Sequence, residues 1–241
     1  MSDNHIVRAY DEELAHLKTL LARMGGLAEE QLDGAIDALV RRDTALADRV
    51  IAADRRIDDL EREVEEKAIL TISKRQPMAR DLREIMVAIR LSSDLERIGD
   101  LAKNTAKRTH AISDALPRKL VMGLSRMGER AQHQLTAVLD AYSQLDDEKA
   151  MQVWREDEEL DALYNSIFRE LLTYMMEDPR NIGLCTHLLF GAKNMERIGD
   201  HATNIAENIH YLVTGRSISE ERPKKDATSS MTVDLPGGKA L

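Results

Sequence analysis

The chain has 241 residues, with 34 basic against 43 acidic side chains and a formal charge of −9; only 3% of it is aromatic and 32% is charged. That mixture suits long helices and excludes a sheet protein, which draws on β-branched and aromatic residues and frequent turns. The acidic field excludes nucleic acid as a partner, because phosphate contacts need a basic surface, and a lone cysteine, Cys185, excludes an internal disulfide.

In chain order, apolar periodicity predicts six long helices, roughly His5 to Val40, Thr44 to Ser73, Met78 to Ile112, Arg118 to Gln144, Glu148 to Glu177 and Arg180 to Thr214. Each carries a stripe at three and four spacing, such as Val50, Ile57, Leu60 and Val64 in the second and Val153, Leu160, Leu163 and Ile167 in the fifth. Pro77, Pro117 and Pro179 stand where new helical patterns begin, and Asp178-Pro179 reads as an N-cap followed by a first-turn proline. Short connections between long helices favour antiparallel bundles. Beyond Gly215 the chain is rich in Ser, Thr, Lys and Gly with Pro223 and Pro236, so residues 216–241 are expected to be a disordered tail. Met1 to Tyr10 lacks a signal-peptide pattern, and no apolar run approaches the roughly 18 residues of a membrane helix. A cytoplasmic location without direct membrane insertion is expected.

The chain also repeats itself. Leu21, Arg23, Met24, Gly25, Ala28, Gln31, Leu32, Asp37 and Ala38 recur at an offset of 103 as Leu124, Arg126, Met127, Gly128, Ala131, Gln134, Leu135, Asp140 and Ala141. The same offset carries Asp54, Ile57, Asp58 and Leu60 onto Asp157, Leu160, Asp161 and Leu163. At an offset of 100, Glu96-Arg97-Ile98-Gly99-Asp100 becomes Glu196-Arg197-Ile198-Gly199-Asp200, followed by Ala102, Asn104, Ala106 and His110 as Ala202, Asn204, Ala206 and His210. The expected fold is all-α, two tandem three-helix bundles over residues 1–115 and 116–215, each with its own core.

The repeated acids form four i, i+4 pairs: Asp54 with Asp58, Glu96 with Asp100, Asp157 with Asp161, and Glu196 with Asp200. At 100° per residue, Glu96, Asp100 and Asn104 fall roughly 160° to 240° from Ile98, which predicts an outward column, and Glu196, Asp200 and Asn204 repeat it. Like charges at this spacing destabilise a helix by about 0.2–0.5 kcal/mol per pair. Arg97 and Arg197 offset part of the repulsion, and multivalent cations would offset the rest. Carboxylates with an Asn amide make an oxygen-only donor set that suits iron, manganese, magnesium or calcium and tolerates zinc. Gly99 and Gly199, kept in mid-helix despite a cost of about 1 kcal/mol each, either allow close helix contact or clear room for ligands.

On these residues the chain resembles the PhoU family, regulators of the phosphate-specific transport system built from two three-helix repeats with Glu(or Asp)-x-x-x-Asp metal motifs. The resemblance runs from residue 5 to about 215 and stops before the tail. It implies metal binding by Asp54, Asp58, Glu96, Asp100, Asp157, Asp161, Glu196 and Asp200, in members that carry multinuclear iron or zinc clusters. It also implies a homodimer, and an adaptor between the ATPase of a phosphate ABC transporter and a membrane sensor histidine kinase, repressing the phosphate-starvation response when phosphate is sufficient.

Two rival readings remain at this point. A di-iron carboxylate oxidase needs Glu-x-x-His motifs, and Glu13 to His16 and Glu207 to His210 match. A metal-free helical scaffold needs the acids only for solubility. His201 reads as a surface residue or a ligand peculiar to the second repeat, and Trp154 and Cys185 read as packing.

Overall fold

A computed structural model describes residues 2–112, 117–220 and 222, with side chains from Tyr10 onward. Among the described residues are eight α-helices, one 3-10 turn and no strand: α1 Ser2–Arg41, α2 Thr44–Ala53, α3 Arg55–Arg75, α4 Arg80–Thr109, α5 Arg118–Gln144, α6 Asp147–Arg155, α7 Asp157–Glu177 and α8 Ile182–Thr214. The second and fifth helices expected from periodicity are therefore each broken in two. The breaks fall at Asp54 and Glu156, where Ile57 N–H closes a tight i+3 bond to the Asp54 carbonyl at 2.8 Å and Glu159 N–H does the same to Glu156 at 3.2 Å. Each tightened turn carries the first acid of a repeated pair, Asp54 or Asp157, out of solvent. A periodicity of 3.6 does not register a break of one residue.

The connections repeat as the helices do. Arg42 and Leu145 take the left-handed conformation, φ 58° and 51°. The residue after each caps the next helix: Asp43 accepts from Leu46 N–H at 2.9 Å and Asp146 from Lys149 N–H at 3.0 Å. Asp178 caps as expected, accepting from Arg180 N–H at 3.0 Å, but the turn it starts is 3-10 over Pro179–Asn181 and the α-helix begins at Ile182.

Within each repeat the long outer helix packs on the last one, α1 on α4 and α5 on α8, with the broken helix laid alongside. The repeats then join through α4 against α8 and α1 against α5. A Cβ on Gly25 of α1 would lie 2.8 Å from Leu139 Cδ2 of α5, and one on Gly128 of α5 would lie 2.7 Å from Ile36 Cδ1 of α1. Gly25 and Gly128 are repeat equivalents, as are Ile36 and Leu139, so the helices cross antiparallel about a pseudo-twofold axis. The core follows this junction. Leu21, Met24, Ile57 and Ile98 of the first repeat and Leu124, Met127, Leu160 and Ile198 of the second belong to one continuous apolar cluster. The two bundles thus share a core, because α4 and α8 bury apolar side chains against each other as well as within their own repeats. The expected boundary between 115 and 116 lies outside the described residues.

The tail expectation changes in part. Residues 216–220 and 222 are placed; Ile218 packs against the core and Arg222 makes ion pairs. Residues 221 and 223–241 lie outside the described residues.

A shared core makes unfolding one event. Ile98→Ala, in the first repeat, is expected to cost about 2–5 kcal/mol and to shift the denaturation midpoint read by Trp154, in the second repeat, together with the loss of helical circular dichroism. A Trp154 transition that stays at the parent midpoint would show that the repeats fold separately.

Candidate functional site

The acid pairs do not lie on an open face. Asp54, Asp157, Asp161 and Glu196 are 5%, 2%, 3% and 3% exposed, and Asp58, Glu96, Asp100 and Asp200 are half-buried. The outward column read from a single helix is thereby corrected. α2 and α3 pack on α4, and α6 and α7 on α8, so each acid column is at least partly covered. Each repeat brings its two acid pairs into one groove.

The close approach is made by glycine. A Cβ on Gly99 would stand 2.9 Å from Gln31 Oε1, 3.0 Å from Ile57 Cδ1 and 3.7 Å from Asp54 Oδ1. On Gly199 it would stand 2.9 Å from Gln134 Oε1, 3.6 Å from Asp157 Oδ1 and in hard overlap with Leu160. Both glycines therefore serve helix contact, and that contact is what sets the carboxylates against α4 and α8.

In the first repeat Lys103 Nζ donates to Asp54 Oδ2, and to Asp100 Oδ1 at 2.5 Å. Burial works against its charge, but these bonds outweigh it and hold the ammonium above its ordinary range. The remaining acids are strained electrostatically. Burial raises the Asp58 pKa, helped by Asp54 and Asp100, and burial raises that of Glu96, helped by Asp100, Asp58 and Asp54. Glu61, one turn along α3, is raised by burial and then by Glu96. It is a fifth carboxylate of this group.

The second repeat uses other counter-ions. Lys193 Nζ donates to Glu196 Oε1 at 2.8 Å. Arg222 Nε donates to Asp157 Oδ2 at 3.0 Å, and its Nη2 lies 2.9 Å from Asp157 Oδ2 and 2.8 Å from Asp200 Oδ1. Thr203 Oγ1 donates to Asp157 Oδ1 at 3.2 Å. Burial still pushes the Asp157 pKa up, and burial with Asp200 and Asp161 nearby pushes Glu196 up to about 6. Two buried oxygens beside this group, Glu196 Oε2 and Gln134 Oε1, have no hydrogen-bond partner, and in the first repeat neither polar end of Gln31 has one. Orphaned acceptors among excess carboxylates are the chemistry a hard cation answers. Among the described residues no three His, Cys, Asp or Glu side chains converge on a single metal position; lysine and arginine stand among the carboxylates instead.

Of the two asparagines, Asn204 is engaged outside this grouping. Asn104 is half-buried one turn beyond Asp100. Asn204 Nδ2 donates to Asp94 Oδ1 of the other repeat at 3.4 Å, and His201 Nδ1 meets the same oxygen at 2.9 Å. Asn204 and His201 thus serve the junction of the repeats, and His201 is not a free surface residue. The neutralising groups also differ from expectation. Arg97 is 60% exposed and lies 3.6 Å from Glu96, while Lys103, Lys193 and Arg222 sit among the acids. Lys103 and Lys193 carried a signal in their i, i+3 spacing to Asp100 and Glu196, and Gln31 and Gln134 recur as a repeat pair. Arg222 had none.

The Glu-x-x-His pairs are engaged elsewhere. Glu13 accepts from Arg75, and His16 stands 3.6 Å from Glu63. Glu207 accepts from Trp154 Nε1 at 3.0 Å, and His210 pairs with Asp147 at 2.7 Å. They share no site, which removes the di-iron reading.

Comparison with known proteins agrees with the duplicated groove. The PhoU domain matches the chain twice, over residues 21–109 and 124–209. The chain belongs to the PhoU family. It is 58% identical over 232 residues to the phosphate-specific transport system accessory protein PhoU homolog of Rhizobium meliloti (strain 1021), covering 96% of this chain and 98% of that one. The crystal structure of PhoU from Pseudomonas aeruginosa superposes with a TM-score of 0.83 at 37% identity, over 86% of this chain and all of that chain. The phosphate transport system regulatory protein PhoU from Streptococcus pneumoniae superposes at 0.81 and 27% identity, over 88% and 100%. As a member of this family the chain is a non-enzymatic accessory protein of phosphate transport. None of its described helices is long and apolar enough to cross a membrane.

Two expectations follow for the metal-free protein. Lys103→Met removes the cation from buried Asp54 and is expected to cost about 2–4 kcal/mol, part of it restored by millimolar Mn2+; an unchanged melting temperature would show that the ion pair is idle. For Glu196 the folded pKa lies above the ordinary carboxylate value, so its contribution to stability is full below about pH 4.5 and is lost as pH rises through about 6. Glu196→Gln should therefore raise the melting temperature at pH 7.5 and leave it nearly unchanged at pH 4.5. Equal shifts at both pH values would contradict the assignment.

Proposed function

We propose that this PhoU protein is a cytoplasmic, metal-binding adaptor that restrains phosphate uptake and signalling when phosphate is sufficient. The observation that carries the metal reading is the excess of buried carboxylate in each groove, with orphaned acceptor oxygens beside it. Asp54, Asp58, Glu96 and Asp100 would hold ions in the first repeat, with Glu61 adjoining, and Asp157, Asp161, Glu196 and Asp200 in the second. Iron, manganese, magnesium or zinc would supply the positive charge each group lacks, displacing lysine and arginine and stiffening the contact between the broken helix and α4 or α8.

Family membership supports the partners: the ATPase of the phosphate ABC transporter, a membrane sensor histidine kinase and a second copy of the chain in a homodimer. A protein that bridges partners needs surface for them. Ile69 and Leu70 near the end of α3, Met78 before α4, and Leu82 and Met86 in its first turns leave apolar side chains exposed.

Asp100→Ala combined with Asp200→Ala separates the metal adaptor from a metal-free scaffold. Metal analysis of parent protein purified without chelator is expected to find multivalent metal, and the double variant to lose most of it. In pull-downs from phosphate-replete and phosphate-starved cells, the parent is expected to recover the transporter ATPase and the kinase in a phosphate-dependent manner, and the variant to recover them weakly. Parent protein that neither carries nor binds metal would overturn the metal reading, and identical recovery by both proteins would make the ions passengers.

A further inference from the structure

The two acid groups are neutralised by different means. Lys103, which joins Asp54 to Asp100, stands on α4 in the middle of the first repeat; its repeat equivalent is Thr203, which carries no charge. The cation that joins Asp157 to Asp200 comes instead from beyond the second repeat. After Gly215 ends α8 with φ 75° and an N–H bond to the Tyr211 carbonyl at 2.9 Å, the chain leaves the helix. Ser217, Ile218 and Glu220 then line a cleft with Asp94, Asn204 and Tyr211, at the junction of α4 and α8. Ile218 packs on the core, and Arg222 reaches the carboxylates with its side chain only 16% exposed.

We propose that residues 216–220 together with Arg222 form a strap whose Arg222 is the resident counter-ion of the second carboxylate group, filling the place that a multivalent cation takes and leaving it when that cation binds. The inference rests on the metal reading above and adds a regulated site to it.

Three features support the exchange. First, the guanidinium fits imperfectly. Its Nη2 lies within ion-pair distance of two carboxylates, yet this buried nitrogen makes no directed hydrogen bond. A metal ion has no such directional demand and concentrates more charge on the same oxygens. Second, acceptors remain for it: Glu196 is 3% exposed with Oε2 unpartnered, and so is Gln134 Oε1. Third, the described residues of the strap lie beyond the end of α8, with Ile218 on the core and Arg222 on the carboxylates, so the strap can leave without unfolding a helix. Lys103 has no comparable freedom, because its backbone lies inside α4. The first group's cation therefore stays tethered within its own helix, and the second group's is carried on a segment that can withdraw.

The test uses the full-length chain, stripped of metal, as parent, Arg222→Ala and Arg222→Lys. An intramolecular competitor lowers apparent affinity by the fraction of molecules in which the site is open, so Arg222→Ala should tighten Mn2+ binding at one class of site by on the order of tenfold in calorimetric titration. Arg222→Lys should fall between the two. Tryptic cleavage after Arg216 reports the strap without reference to metal affinity: it should be several-fold faster in Arg222→Ala, and faster in the parent once Mn2+ is added. Mn2+ bound with equal affinity by parent and Arg222→Ala would overturn the strap as competitor while leaving the metal reading intact. Failure of both proteins to bind Mn2+ would overturn both readings.

Discussion

A carboxylate taken out of water must find a cation or give up its charge, and this fold takes out four, Asp54, Asp157, Asp161 and Glu196, with their i, i+4 partners beside them. The rest of the site answers that constraint. Lys103 reaches from α4 to the helix break at Asp54, Arg222 returns from beyond α8 to Asp157, and Lys193 covers one oxygen of Glu196. Among the described residues, these three cations and the exposed Arg97 beside Glu96 are outnumbered by the eight repeated acids, and the excess is seen in the raised pKa values of Asp58, Glu96, Asp157 and Glu196. A multivalent ion bound in the groove would offset that excess.

The bundle can carry such a cost because its apolar framework is continuous. Gly25 against Leu139 and Gly128 against Ile36 bring α1 and α5 together, and the shared core beneath α4 and α8 joins both grooves to one folding unit. The pseudo-twofold axis places the grooves in equivalent settings. Their chemistry is not equivalent, since Lys103 has become Thr203, Glu61 has become Tyr164, and the strap supplies Arg222. Duplication has kept the acids and allowed their counter-ions to diverge.

Much of this was legible in the residues before any coordinates. The offsets of 103 and 100, the Glu-Arg-Ile-Gly-Asp pair and the apolar stripes lead to two helical repeats, and the four acid pairs lead to the groove. What was not legible has physical causes. A helical wheel treats one helix against one partner, so it set Glu96 and Asp100 outside, although α2 and α3 also pack on α4. The breaks at Asp54 and Glu156 change one hydrogen bond each and leave periodicity almost untouched. The pairing of Asn204 and His201 with Asp94 depends on the junction between repeats, which no spacing within either repeat encodes. Arg222 stands in a polar segment without period, and only the return path of the chain brings it to Asp157.

The grooves' affinity for metal is tested most directly by locating the ions. Crystals of the full-length protein grown with Mn2+ and measured at the manganese absorption edge should show anomalous peaks among Asp54, Asp58, Glu96 and Asp100 and among Asp157, Asp161, Glu196 and Asp200. In the second groove Arg222 should be displaced from Asp157 and Asp200. Grooves without anomalous density, with Lys103 and Arg222 still bridging the carboxylates at saturating Mn2+, would contradict it.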